Sequence, residues 1–232
     1  MLPTLIKKVA GRAKRSISTL RQQKKLSRTY SKYSQFTMIG SQAYACNLEL
    51  AINVGNIEGS VVECGTWKGG MIAGIAETLG NSRDYYLYDS FEGLPPAKEV
   101  DGESAIRWQN DISSERYFNN CTARIEDAKE AMNLSKAHKV HVVKGWFHET
   151  LANHPLSQSI AVLRLDGDWY ESTMTCFDHL FPLVAKGGII IVDDYYTWDG
   201  CSRAVHDYLS KHSRPERISQ HGSVCYLIKS HD

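Results

Sequence analysis

The chain has 232 residues, of which 42% are hydrophobic, 23% charged and 10% aromatic, with a net charge of +1. This ordinary globular balance excludes a disordered chain, and the length fits one larger domain. No apolar run reaches the ~18 residues of a membrane-spanning helix, and near-neutrality points to no dominant polyanionic partner.

Charge is nonetheless unevenly spread. Ten of the 27 Lys and Arg residues lie between Met1 and Leu48, a stretch without Asp or Glu. The remainder carries 17 bases against all 26 acids, a net of −9. Leu2, Leu5, Ile6, Val9, Ala13, Ile17 and Leu20 recur at helical spacing, opposite Lys7, Lys8, Arg12, Lys14 and Arg15. This predicts a basic amphipathic helix. Packing on the body or on a second subunit is the preferred reading. Peripheral membrane contact, an electrostatic arm for a phosphorylated substrate and an organellar transit peptide stay open. Nucleic-acid binding is disfavoured by the acidic body and the lack of a recognition motif. No secretory signal is read at the N-terminus.

From Ser41 the pattern alternates between helix and strand. Helices are predicted over Ser41–Ile57, Met71–Leu79, Ile125–Leu134, Glu171–Val184 and Cys201–Lys211. Strands are predicted over Ser60–Cys64, Tyr85–Asp89, Lys139–Val143, Ile160–Leu165, Gly188–Val192 and Ser223–Ile228. Alternation of this kind means βαβ units and a mostly parallel sheet, and the continuous apolar central strands are those of a sheet covered on both faces. The span from Pro95 to Asn120 is long, polar and dotted with Trp108, Tyr117 and Phe118, and reads as a lid or as a disordered excursion. Six cysteines occur, none with Cys-x-x-Cys or zinc-ligand spacing, so reduced thiols in a cytoplasmic enzyme are expected.

In such sheets ligands bind beyond the carboxyl ends of the strands, so the residues following each strand hold the candidate site. Glu63-Cys64-Gly65-Thr66-Trp67-Lys68-Gly69-Gly70 is a glycine-rich turn opening a helix. Trp67 stands where a dinucleotide motif needs its second glycine, which argues against a pyrophosphate. Asp89 closes the next strand, 26 residues after Glu63, where an acid accepts hydrogen bonds from ribose hydroxyls. An adenosyl ligand lacking a pyrophosphate points to S-adenosylmethionine, with Glu63 toward its ribose or amino-acid end.

Asp166 closes the fourth strand and Asp193-Asp194 the fifth. Neighbouring strands would bring these carboxylates to one rim, where mutual repulsion calls for protons or a cation. An all-oxygen set suits a hard divalent ion such as Mg²⁺. Asp168 would share that rim only if the strand continued through Gly167. A metal there would acidify a substrate hydroxyl, with Asp166 or His148 as the base. His148 reads equally well as a residue in the first turn of a surface helix. Tyr195, Tyr196 and Trp198 are candidates for an aromatic wall against a sugar or ring, or for ordinary core.

Five blocks carry a resemblance: Val62 to Gly70, Tyr88 to Pro96, Lys144 to Phe147, Leu163 to Ser172 and Val192 to Tyr195. In that order, from about Phe36 onward, they resemble the macrocin O-methyltransferase (TylF-type) family. The resemblance implies a Rossmann-like class I methyltransferase fold, α/β with a mostly parallel sheet, helices on both faces and an antiparallel C-terminal strand. It implies S-adenosylmethionine and Mg²⁺ as cofactors, and an oligomer. It places Thr37, Met38, Glu63, Gly65, Asp89, Ser90 and Phe91 at the cofactor, Asp166, Asp193 and Asp194 at the metal, and Asp166 as general base. His148 and Trp169 depart from the family pattern. The expected organisation is a basic arm over residues 1–35 and a methyltransferase domain over 36–232. The expected activity is methylation of a sugar hydroxyl on a glycosylated natural product or polysaccharide precursor. The alternatives are a catechol or phenolic acceptor on the same fold, and an adenosyl-binding assembly protein without turnover.

Overall fold

The computed structural model describes residues 20–153 and 156–231. The amphipathic pattern over Leu2–Leu20 lies outside the described residues, Leu20 apart. Residues 20–33 are helical (α1), and Leu26 and Tyr33 of this helix are buried in the main core.

The chain then runs α2 (Ser41–Asn53), β1 (Ser60–Cys64), α3 (Gly70–Leu79), β2 (Asp84–Asp89), α4 (Glu103–Asn110), α5 (Ile125–Ser135) and β3 (Lys139–Lys144). It continues as α6 (Phe147–Asn153), β4 (Ile160–Leu165), α7 (Tyr170–Leu180), β5 (Val184–Val192), α8 (Asp199–Lys211), β6 (Ser219–His221) and β7 (Val224–Ile228). The seven strands form one sheet in the order β3-β2-β1-β4-β5-β7-β6. Strands β1 to β5 are mutually parallel, and β7 is antiparallel to β5 and β6. This is the mixed sheet expected from the resemblance.

Period-two alternation divides the strands between two cores. Val61, Val162, Ile189 and Ile191 face α1, α2, α3 and α5. Val62, Cys64, Leu163, Ile190 and Val192 face α6, α7 and α8. Burial on both faces explains why β1 and β4 contain no exposed position.

Four elements differ most from expectation. The helix expected over Ser41–Ile57 ends at Asn53. The helix predicted to reach Val184 stops at Leu180, because Pro182 has no amide hydrogen and its ring clashes with the preceding turn. Strand β5 starts four residues earlier than predicted, the glycines of Ala185–Gly188 having obscured it. Strand β6, only three residues long, was not anticipated. The lid is also more ordered than its composition suggests. It holds α4, and Asp101 pins it by accepting the Tyr170 N–H at 2.7 Å.

The segments after α8 and β7 are tied together by Glu216. Its carboxylate accepts from Arg214 at 2.7 and 3.1 Å and from the Ser230 N–H and hydroxyl at 3.1 and 3.0 Å. Burial acts to raise its pKa, but Arg214 and Ser230 outweigh burial and hold it at about 2. A depressed folded pKa contributes stability above the unfolded value of ~4.3, and that stability is lost as pH falls toward the folded value. Glu216→Gln is therefore expected to cost about 2–3 kcal/mol at pH 7 and clearly less at pH 3 by urea unfolding. An equal loss at both pH values would rule out this ionic anchor.

Among the described residues no helix is long and apolar enough to cross a membrane.

Candidate active site

Strand order reverses direction between β1 and β4, and the loops leaving these two strands part there to open a crevice. Gly65 and Asp166 meet at that point. The Asp166 N–H donates to the Cys64 carbonyl at 2.9 Å. A Cβ on Gly65, which has φ +84°, would lie 1.7 Å from the Asp166 carbonyl oxygen. Only glycine fits there, so the β1 turn is glycine-rich partly to let two strand ends touch.

A cavity of 1380 Å³ occupies the crevice. A smaller recess shares Met38, Gly65, Trp67 and Asp166 with it and reaches Thr37 and Glu63. Thr37 Oγ1 accepts the Ile39 N–H at 3.2 Å, which shapes the wall of the recess. Glu63 is 1% exposed. Its Oε1 accepts from Arg164 at 2.9 Å, while Oε2 is buried without a partner. The Thr66 hydroxyl is likewise buried and unpartnered. Burial raises the Glu63 pKa to about 8, with Arg164 opposing. Unsatisfied buried acceptors are costly, so two beside one recess mark where a polar ligand docks.

Asp89 has a second role that the strand pattern did not indicate. Its Oδ2 accepts the Trp67 N–H at 2.7 Å and its Oδ1 the Phe91 N–H at 2.6 Å. Trp67 (φ +48°) and Phe91 (φ +54°) are both left-handed, a conformation costing non-glycine residues about 1 kcal/mol or more, and the carboxylate holds both. The carboxylate also lines the cavity. Ser90 Oγ donates to the Gly93 carbonyl and accepts the Glu92 N–H, closing the turn beneath Asp89.

The strand ends bring Asp166, Asp168, Asp193 and Asp194 to one cavity, as the strand pattern suggested for three of them. One oxygen each from Asp166, Asp168 and Asp194 lie within 4.8 Å of one another. Asp193 also lines the cavity, but its Oδ1 is held by Arg164, 2.5 Å from Nη2. The chain bends at Asp168 (φ +57°) instead of continuing as a strand. That bend lets the Asp168 N–H donate to Asp194 Oδ2 at 3.1 Å and its Oδ1 accept the Trp198 indole N–H at 2.8 Å. Burial, reinforced by the neighbouring carboxylates, pushes Asp168 and Asp194 well above the usual carboxylate range. An all-oxygen cluster of such proton affinity suits a hard divalent cation, which would replace the protons.

Arg164 joins the two halves of the site. It is 1% exposed and sits in the apolar strand β4. Nη1 donates to Glu63 at 2.9 Å and to Asp166 at 2.8 Å, Nη2 pairs with Asp193, and Nε donates to Asn47 at 3.1 Å. Neither Arg164 nor Asn47 was identified from sequence. A charged residue inside an apolar strand was the available signal, since a buried charge requires partners.

His148 lies on the cavity rim in α6 with its side chain 72% exposed, 3.9 Å from Glu149. It is not part of the acid cluster. Trp108, Trp169 and Trp198 pack edge to face with centroids 5.3–6.3 Å apart and line the cavity. The Trp169 indole N–H reaches the Pro95 carbonyl at 2.9 Å, fastening the lid. Lys98 adds an ion pair to Glu171 at 2.6 Å.

Comparison with known proteins finds relatives in sequence and in fold. Demethyldecarbamoylnovobiocin O-methyltransferase of Streptomyces niveus is 34% identical over 67% of this chain and 60% of its own length. A tetracenomycin-C rhamnosyl 4'-O-methyltransferase of Streptomyces olivaceus is 33% identical over 71% of this chain and 63% of its own. The chain thus spans less than two thirds of these relatives. The solved structure of the O-methyltransferase NovP superposes with a TM-score of 0.69 at 28% identity, over 84% of this chain and 83% of that one. The model of the macrocin-O-methyltransferase (TylF) family matches residues 3–228 and so runs through the basic N-terminal segment as well as the sheet. With nearly its whole length matched, this chain belongs to the macrocin-O-methyltransferase family.

Proposed function

We propose that the protein is an S-adenosylmethionine-dependent O-methyltransferase that requires Mg²⁺ and acts on a sugar hydroxyl of a glycosylated natural product. One observation carries the reading: Arg164 Nη1 binds Glu63 and Asp166 at once, at 2.9 and 2.8 Å. The cofactor recess and the acid cluster are thereby held side by side, as transfer between two bound molecules requires.

When bound, the cofactor supplies an electrophilic sulfonium methyl, and the cation lowers the pKa of a hydroxyl. Asp166, Asp168 and Asp194 are the residues that would hold the cation. Glu63 Oε2, the Thr66 hydroxyl and the Asp89 carboxylate receive the polar groups of the adenosyl ligand. Asp166 commits Oδ2 to Arg164, which leaves Oδ1 to take the acceptor proton. His148 faces the acceptor from the rim. Trp108 and Trp198, packed on the buried Trp169, form an aromatic wall for a sugar and, with the ordered 95–120 segment, exclude water. Methyl transfer needs little covalent help from the protein, so positioning and charge compensation supply most of the acceleration. Action in a reducing cytoplasm is part of this reading, since none of the six cysteines has disulfide-framework or zinc-ligand spacing.

Calorimetric titration with S-adenosylhomocysteine, in Mg²⁺ and again in EDTA, tests the reading. Micromolar binding that survives EDTA is expected, since Glu63, Thr66 and Asp89 can hold the adenosyl ligand without a cation. No binding in either buffer would overturn the assignment.

A further inference from the structure

A second cluster of donor atoms lies outside both cavities. Cys46 and Glu49 stand three residues apart on α2, so their side chains share one face of that helix. His221 ends β6 and precedes the hairpin turn at Gly222. Gly222 has φ +59°, and a Cβ there would lie 2.5 Å from the Cys46 sulfur. The glycine therefore lets the hairpin press directly on the thiol. His221 Nε2 lies 2.7 Å from Glu49 Oε2. One sulfur, one carboxylate oxygen and one imidazole nitrogen fall within 4.8 Å of one another. The His221 and Glu49 side chains are 42% and 34% exposed, so an ion can arrive from solvent.

The donor types narrow the choice of ion. A thiolate and an imidazole are poor ligands for Mg²⁺ or Ca²⁺ and good ones for Zn²⁺. Ligands at 2.0–2.3 Å from a tetrahedral ion stand roughly 3.3–3.8 Å apart, which small side-chain rotations reach from the observed spread. Three protein ligands leave a fourth position for water. The donors come from opposite ends of the chain, 172 residues apart between Glu49 and His221. An ion would thus fasten α2 to the β6–β7 hairpin. Helix α2 follows directly on the Thr37–Met38 wall of the smaller recess.

We propose that Cys46, Glu49 and His221 form a Zn²⁺ site, separate from the Asp166–Asp168–Asp194 cluster, that staples α2 to the C-terminal hairpin. On binding, the thiol proton leaves to solvent and the Glu49–His221 hydrogen bond opens as both side chains turn to the ion.

The test uses the whole chain, stripped with EDTA and held in excess Mg²⁺ to occupy the carboxylate cluster. Titration with Co²⁺ is expected to give one site per chain with a thiolate charge-transfer band and the visible bands of a tetrahedral ion, displaced by Zn²⁺. Cys46→Ser should abolish the charge-transfer band. Glu49→Gln and His221→Ala should each weaken Zn²⁺ binding about tenfold or more by calorimetry. Thermal melting of each variant without metal confirms that it folds. A wild-type spectrum without the thiolate band would sink the proposal. So would a band unchanged in Cys46→Ser, which would assign the thiolate to another cysteine, such as Cys121 beside the aspartates.

Discussion

Arg164→Met should lower the melting temperature by about 10 °C or more and abolish methyl transfer. Three carboxylates and one amide share this guanidinium: Glu63, Asp166, Asp193 and Asn47. Methionine approximates its volume but leaves the acids without a counter-charge. Removing one partner from a buried ionic cluster costs about 3–5 kcal/mol. In a chain of this size each kcal/mol shifts the melting temperature by roughly 2–4 °C.

The sign with pH follows from the acids left behind. Asp193 is raised to about 6, burial outweighing Arg164. Without the arginine it must protonate even more readily to stay buried. The stability deficit should therefore be larger at pH 8 than at pH 5, where protons substitute for the lost cation. Arg164→Lys keeps the charge but offers one nitrogen in place of three, so it should recover part of the stability and little of the activity. Wild-type melting and turnover in Arg164→Met would mean that the two half-sites are not held by this residue.

Asp168→Asn is the second large effect. The cluster seen here is Asp166, Asp168 and Asp194, whereas the family resemblance places Asp193 in it. Asparagine can still accept the Trp198 indole hydrogen bond, so the turn should persist while one anionic ligand is lost. A fall in kcat/KM of about 10²–10³ is expected, the usual scale for deleting one preorganised electrostatic group. Mn²⁺ binding followed by magnetic resonance should weaken in parallel, and S-adenosylhomocysteine affinity should change less than about threefold. Asp193→Asn should do the reverse, reducing stability through Arg164 while keeping Mn²⁺ affinity within about threefold. Should Asp193→Asn abolish Mn²⁺ binding and Asp168→Asn spare it, the cluster assigned here is wrong.

The contrast between these two aspartates shows what a linear pattern can convey. Asp193 and Asp194 are adjacent at the end of β5, and nothing in their order says which comes closer to Asp166 and Asp168. The answer depends on Arg164, one strand away, which pairs with Asp193. The doubt about Asp168 came from Gly167, read as a break in a strand. The break is real, but the left-handed turn it allows swings Asp168 toward Asp194. The Zn²⁺ site was invisible for a related reason. Its ligands lie on α2 and the C-terminal hairpin, and metal-ligand spacing can be read only when donors are close along the chain.

The architecture itself was legible, because it rests on local physics. Apolar runs in β1, β4 and β5 can be satisfied only by a sheet covered on both faces. Their alternation with helices requires parallel crossovers. The glycine turn after β1 and the acids after β2, β4 and β5 had to gather at the carboxyl edge, since every parallel strand ends there. The sequence alone therefore determined the fold class, the edge that carries the chemistry and a set of acids from which the site is drawn. Tertiary structure decided which acids meet. That choice depends on side chains from non-neighbouring segments competing for one buried guanidinium, and such competition leaves no periodic trace along the chain.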